Sequence, residues 1–404
     1  MNLKKNFLKT LPSMVLAGFL TLGLSLPVLA QDTVTPNGPF ISDTQNVELQ
    51  AFTDHEEMVK ELKRIEAHSN GVVRLELIGY SYDGRELYLV RAGLGEDNVM
   101  LISQQHGNEP HGTEAVLKLI NDIAFSGNPW IKAIRENLTV NIIPKLNPDG
   151  AALWIRYVLD PTAPNPRTYA QETGFVDPDT GVTPRNLSNE TYGMYSSAGV
   201  GWDSNRFHFV DWTTSPMYYY WPDVWPTNPA LEANICAQTV KMLVDEGNTP
   251  LWFADLHNQG STIDENNDLI MFALDTAHFT NDWDTDYTFP EVQQAARMLV
   301  AIKDAIKSPN TAISRYAAPS SYRGRSRNQY MQVYGIPGIL IEMRGMGQKQ
   351  SGKITQLCYD TLIPILLGTV DGSIDEIDWQ RVFEITDETH GYNRDIPANP
   401  NDEE

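Results

Sequence analysis

Eight histidines stand in this 404-residue chain, and two segments combine histidine with acid at spacings that suit a metal. His106-Gly107-Asn108-Glu109 puts an imidazole and a carboxylate three residues apart, and far downstream Asp255-Leu256-His257 supplies a second imidazole. Two imidazoles and one carboxylate are the ligand set of a catalytic zinc centre that keeps a fourth position open for water. His-x-x-Glu alone is a weak signal, because a single histidine is more often a surface or hydrogen-bonded core residue. Competing signatures fail. His55-Glu56 has Val59 where a helical zinc motif needs its second histidine. Gly79-Tyr80-Ser81-Tyr82-Asp83 lacks the closing glycine of a serine-hydrolase elbow.

Further pieces point the same way. Asn147-Pro148-Asp149-Gly150 follows an apolar run where a turn is expected. Gly201-Trp202-Asp203-Ser204-Asn205-Arg206 gathers an acid, an amide and a guanidinium in a short loop. Ile341-Glu342-Met343-Arg344 puts a carboxylate at the end of an apolar strand, and a buried carboxylate needs a partner or a task.

The elements that must position these groups alternate. The pattern predicts a first helix started by Thr53 with Glu56 in the capping-box position and Met58, Leu62 and Ile65 on its apolar face. Strands are expected over 72–79, 86–92, 99–103, 138–144, 251–256, 269–274 and 338–343, and helices over 112–124, 229–246, 290–307 and 353–370. Interleaved strands and helices imply an α/β fold with a mostly parallel central sheet. The motifs then fall at strand ends, where α/β sheets place their sites. No repeat and no boundary between two cores is visible. Residues 157–199, rich in Pro, Thr, Asn and Gly, read as a long irregular segment of the kind that is either a functional lid or disordered.

The ordered set His-x-x-Glu, Asn-Pro-Asp-Gly, Gly-x-Asp-x-Asn-Arg, Asp-x-His and Glu-x-Arg resembles the zinc carboxypeptidases of the carboxypeptidase A type, over about residues 50–371. Ile78-Gly79-Tyr80-Ser81 with Asp83-Gly84-Arg85-Glu86-Leu87 is similar to that family's opening strands. The resemblance implies a single three-layer α/β/α domain with a mixed, mostly parallel eight-stranded sheet, and removal of C-terminal residues from peptides. It implies one zinc ion held by His106, Glu109 and His257, whose water is activated to a pKa of about 7. Glu342 would be the general base and Asp203 the acid that orients His106. Asn205 and Arg206 would clamp the substrate's terminal carboxylate, a task suited to a planar guanidinium fork. Arg156 is the candidate oxyanion stabiliser, with Arg167 and Arg185 as alternatives. Tyr322 is the candidate mobile tyrosine over the bound terminus, with Tyr330 and Tyr334 open as core aromatics instead.

Arg323, Arg325 and Arg327 alternate ahead of Glu342 and would share one face if extended. They read either as a solvated basic edge or as a pocket for an acidic terminal side chain. The rest of the chain is acidic, with a net charge of −22, which argues against a nucleic-acid partner. Lys4, Lys5 and Lys9, an apolar run from Leu11 to Leu26 and Val28-Leu29-Ala30 make residues 1–30 a cleavable export signal. The expected organisation is then an N-terminal extension over 31–47, a catalytic domain over 48–380 and an acidic tail over 381–404. Export would leave no stable membrane anchor and place the protein in the periplasm or outside the cell. Cys236 and Cys358 could pair there or remain free buried thiols; oligomeric state is open. Two rival functions remain: a zinc amidase of the same scaffold acting on peptidoglycan stem peptides or N-acyl amino acids, and a non-catalytic binding protein.

Overall fold

The computed structural model describes residues 52–260, 263–264, 270–306, 312–316, 319–344 and 351–389. The expected export signal and the 31–47 extension lie outside them. Helix α1 (His55–His68) starts one residue later than the Thr53 pattern implied. Asp54 caps it and Glu57 completes the box. Thr53 instead gives its backbone N–H and its hydroxyl to Glu114 at 2.7 and 3.0 Å.

The hairpin β1 (Val73–Tyr80) and β2 (Glu86–Gly93) leads to β3 (Asp97–Ser103), α2 (His111–Phe125), α3 (Pro129–Asn137), β4 (Leu138–Ile143) and α4 (Pro148–Leu153). Helix α3 is started by Asn128, whose side chain accepts the Trp130 N–H, with proline in the first turn. Next come β5 (Val158–Leu159), α5 (Pro166–Thr173), β6 (Ser196–Ser197), β7 (Gly201–Trp202), α6 (Pro216–Tyr220) and α7 (Leu231–Asp245). The remainder is β8 (Phe253–Gln259), β9 (Ile263–Asp264), β10 (Ile270–Thr276), α8 (Trp283–Asp286), α9 (Pro290–Ala305), β11 (Ala312–Arg315), α10 (Ser326–Tyr334), β12 (Gly338–Arg344), α11 (Ser351–Asp371) and β13 (Thr386–Thr389).

The main sheet runs β1-β2-β4-β3-β8-β12-β10-β11-β13-β9. The eight strands of the expected mixed sheet are its first eight; the two short strands β13 and β9 extend the β11 edge. That extension also moves the end of the folded body. Val382 and Ile385 are buried in the core and β13 pairs with β11, so residues 381–389 belong to the domain and not to a tail.

Alternation along the strands makes three layers. Val90, Val99, Leu101, Ala254, Leu256, Ile339 and Ile341 face a core covered by α1, α2, α3, α9 and α11. Their neighbours Leu89, Met100, Ile102 and Phe253 face the opposite side, under α7 and α10. Cys236 lies in the second core and Cys358 in the first; both are free and buried on opposite sides of the sheet, which settles the open question against a bridge.

Residues 157–199 are largely irregular, with β5, α5 and β6 as their regular elements, yet they are packed and not disordered. Val158, Ala163, Ala170, Leu187, Tyr192 and Met194 bury themselves with Trp202, Phe207, Phe209 and Trp221 in a third, aromatic cluster. The polar residues that disguised this fold are turn-makers: Asp160, Asn165, Asp177, Asn186 and Asn189 each accept a nearby backbone N–H.

Candidate metal centre and active site

His106 and Glu109 sit on the turn between β3 and α2. Gln104 takes a left-handed backbone (φ 50°) there and stitches the turn, donating to the Gly107 carbonyl and accepting from Thr113. Gly107 lies against Gly150: a Cβ on it would stand 2.0 Å from the Gly150 carbonyl carbon, so only glycine fits. Asn147 caps α4, and its amide donates to the carbonyls of Arg156 and Tyr157, fixing the segment that carries Arg156. Asp149 is buried and ties down the opening hairpin through Ser81, the Asp83 N–H and Arg85.

Asp255 and His257 are two apart in β8, so both point to the face under α7 and α10, and His257 lies within the strand instead of after it. Glu342 is the parallel-register neighbour of His257 in β12, on that same face. The donor atoms converge. His106 Nδ1 and His257 Nδ1 are 3.2 Å apart, and the two Glu109 oxygens lie 2.7 and 2.8 Å from them. One ligand atom from each of these three buried residues lies within 4.8 Å of the others. A carboxylate stands behind each ring: Asp203 Oδ1 at 3.1 Å from His106 Nε2, and Asp255 Oδ1 at 3.0 Å from His257 Nε2. That arrangement turns the Nδ1 lone pairs inward, the geometry a zinc ion needs. Burial alone would lower the His257 pKa, yet Asp255 and Glu109 outweigh it and hold the imidazole well above its ordinary range. The two carboxylates that favour a proton there would favour a metal cation in its place. The donor set therefore fits zinc.

Arg156 reaches the same place, with Nη1 3.3 Å from Glu109 and Nη2 3.3 Å from Asp203; Arg167 and Arg185 are exposed. Burial raises the Asp203 carboxyl, but Arg156, Arg206 and His106 overcome it and keep the group well below the usual carboxylate range. Burial raises Glu342, Glu109 adds to this, and His257, Arg344 and the Tyr316 hydrogen bond only partly offset it. Its Oε2 accepts the Tyr316 hydroxyl at 3.0 Å, while Oε1 is buried with no hydrogen-bond partner among the described residues.

Asn205 accepts the Ser326 N–H at 3.1 Å and places its amide 3.5 Å from His257 Nε2. Arg206 lies over the Tyr195 ring at 5.1 Å and donates to the Asn205 carbonyl. Tyr322 departs from the flap expectation. It is buried in the aromatic cluster, with its hydroxyl 3.3 Å from the Arg206 carbonyl, and backs the loop that carries the clamp. The tyrosine that meets the base is Tyr316, just after β11; it was missed because distance along the chain favoured Tyr322. Tyr330 is core, donating to Cys236 Sγ, and Tyr334 packs at its edge.

The three alternating arginines do not share a face. Arg323 is exposed, and α10 begins at Ser326, which turns Arg327 inward onto Asp275. Also unforeseen is Gln105, whose amide donates to Asp255 while its carbonyl accepts from Ser204 and is met by His208 Nε2 at 2.9 Å. Glutamine and serine carry no metal signature, so only the fold could reveal them.

A family model described as zinc carboxypeptidase matches residues 58–364. The chain is 27% identical over 191 residues to Carboxypeptidase Z of Mus musculus, covering 45% of this chain and 27% of that protein. It is 31% identical over 119 residues to Carboxypeptidase SOL1 of Arabidopsis thaliana, covering 27% of this chain and 24% of that one. These matches thus span about a quarter of the relatives' lengths. Among solved structures, the metallo-carboxypeptidase from Burkholderia cenocepacia aligns with a TM-score of 0.51 at 16% identity, over 78% of this chain and 68% of the other. Carboxypeptidase A from Helicoverpa armigera aligns with a TM-score of 0.51 at 16% identity, over 83% and 77%. At these identities the structures speak for the fold.

Proposed function

The chain belongs to the zinc carboxypeptidase family, and on that premise we propose that it is an exported zinc metallocarboxypeptidase that hydrolyses the C-terminal residue of peptides. The observation that carries this reading is the meeting of His106, Glu109 and His257 beside Glu342 on the adjoining strand, whose Oε1 has no hydrogen-bond partner among the described residues. One zinc ion held by those three residues would supply Lewis acidity toward the scissile carbonyl and toward water. Glu342 takes the proton from the attacking water and returns it to the leaving amine, a role helped by the upward pull of burial on its pKa. Tyr316 holds its other oxygen. Arg156 offers its guanidinium to the developing oxyanion, and Asp203 keeps both Arg156 and His106 in place. Arg206, with Asn205, binds the terminal carboxylate in a two-pronged charge-assisted contact.

The catalytic body is proposed to run from near residue 48 to 389, with residues 1–30 as a leader that directs the protein to the periplasm or beyond. The test is hydrolysis of N-blocked peptides against otherwise identical C-terminally amidated ones, with and without chelator. Turnover confined to the free-carboxylate peptides, abolished by chelator and restored by zinc, is expected. Equal cleavage of the amides, or turnover indifferent to chelator, would contradict the proposal.

A further inference from the structure

Arg325 is an orphan. Its Nε is buried without a hydrogen-bond partner, and its guanidinium makes no ion pair among the described residues. The flanking arginines differ. Arg327 is matched by Asp275, which also engages His278, and Arg323 is exposed. Glu190, the other acid acting on Arg325, is exposed and receives the Ser320 hydroxyl.

The backbone around Arg325 is stitched to the loop that carries the carboxylate clamp. The Gly324 carbonyl accepts the His208 N–H at 3.0 Å, and the Ser326 N–H donates to the Asn205 side chain at 3.1 Å. Gly324 packs so closely on the Arg206 carbonyl that a Cβ would stand 2.0 Å from that oxygen. Arg206 itself donates only to its neighbour's carbonyl and forms no ion pair among the described residues. Two guanidiniums that form no ion pair among the described residues therefore sit on adjoining, mutually fastened segments, in a chain whose net charge is −22. Burial and the Arg206 and Arg327 cations push Arg325 down to about 10, the strain expected when like charges await an anion. A terminal glutamate or aspartate brings two carboxylates that match the pair.

We propose that Arg325 makes this site selective for peptides ending in an acidic residue, its guanidinium taking the side-chain carboxylate while Arg206 takes the terminal one. The inference rests on the carboxypeptidase reading above and names the substrate class of that site. One bidentate contact of this kind is worth about ten- to a hundredfold in selectivity.

The experiment uses the zinc-loaded full chain and N-blocked peptides that differ only in a final Glu, Gln, Phe or Lys. Glu is expected to exceed Gln by about tenfold or more in kcat/KM, and Arg325→Gln to bring that ratio near one. A readout without turnover accompanies it: N-acetylglutamate should bind the wild-type chain about tenfold more tightly than N-acetylglutamine. This pair and the wild-type Glu/Gln ratio decide the matter even if the variant does not fold. Phe, Lys or Gln turned over as well as Glu, or an unchanged ratio in the variant, would overturn the acidic preference and leave the peptidase standing. Failure to cleave any of the four peptides would overturn both.

Discussion

Glu342 and Arg206 are the two side chains whose loss should separate chemistry from recognition. Glu342 has one oxygen on Tyr316 and the other free of partners among the described residues, beside His257. Glu342→Gln keeps the shape and removes the proton acceptor. It should lower kcat by about a hundred- to ten-thousandfold while leaving bound zinc unchanged, as activity and metal content measured on one sample would show. Arg206→Lys keeps the charge and loses the planar fork. Stacked on Tyr195, the arginine is already oriented, so the lysine variant should show its defect mainly in KM, with kcat/KM down about tenfold or more. A variant with unchanged KM would remove Arg206 from the clamp.

At the level of elements, the site depends on close approaches between turns. Gly107→Ala drives a Cβ into the Gly150 backbone, which cannot yield as a flexible side chain could. The cost expected is about 1–3 kcal/mol in denaturant unfolding, together with weakened zinc binding, because His106 precedes it directly. A second prediction concerns the first turn of α7. Glu232 is fully buried with Oε2 lacking a hydrogen-bond partner among the described residues, and burial pushes it up to about 8, with Asp149 adding to the effect. The folded chain thus holds this proton where the unfolded chain, near 4.5, has lost it. Its contribution to stability is present below about 4.5, declines as pH rises toward 8 and is flat beyond. Glu232→Gln should remove that slope from a series of melting temperatures, and a slope retained in the variant would place its origin elsewhere.

How much of this could be read beforehand varied with the physics behind each element. Strands β3, β4, β8, β10 and β12 announced themselves as apolar runs, and their motifs stand at or near the ends that hold the site. Residues 157–199 misled because asparagines and aspartates that cap local turns look like disorder, while the aromatics they bury beside them do not share a period. Tyr316 and Gln105 were invisible for a different reason: each matters through one contact across the fold, and nothing in local sequence marks such a contact.

Over the whole molecule, the sheet is the device that makes a distant set of residues local. His257 and Glu342 become register neighbours on parallel strands, and the β3–α2 turn brings His106 and Glu109 against them. The added edge strands supply none of those four groups but support them: Glu388 of β13 pairs with Arg344, two residues beyond Glu342. Because ion binding to the folded chain alone must stabilise it, saturating zinc should raise the melting temperature and chelator should lower it. The central claim is tested most directly by metal stoichiometry, measured by elemental analysis on the purified wild-type chain and on His106→Ala, Glu109→Gln, His257→Ala and Glu342→Gln. One zinc per chain is predicted for the wild type and for Glu342→Gln, with loss in the other three. Full zinc occupancy in any of those three variants would contradict the account.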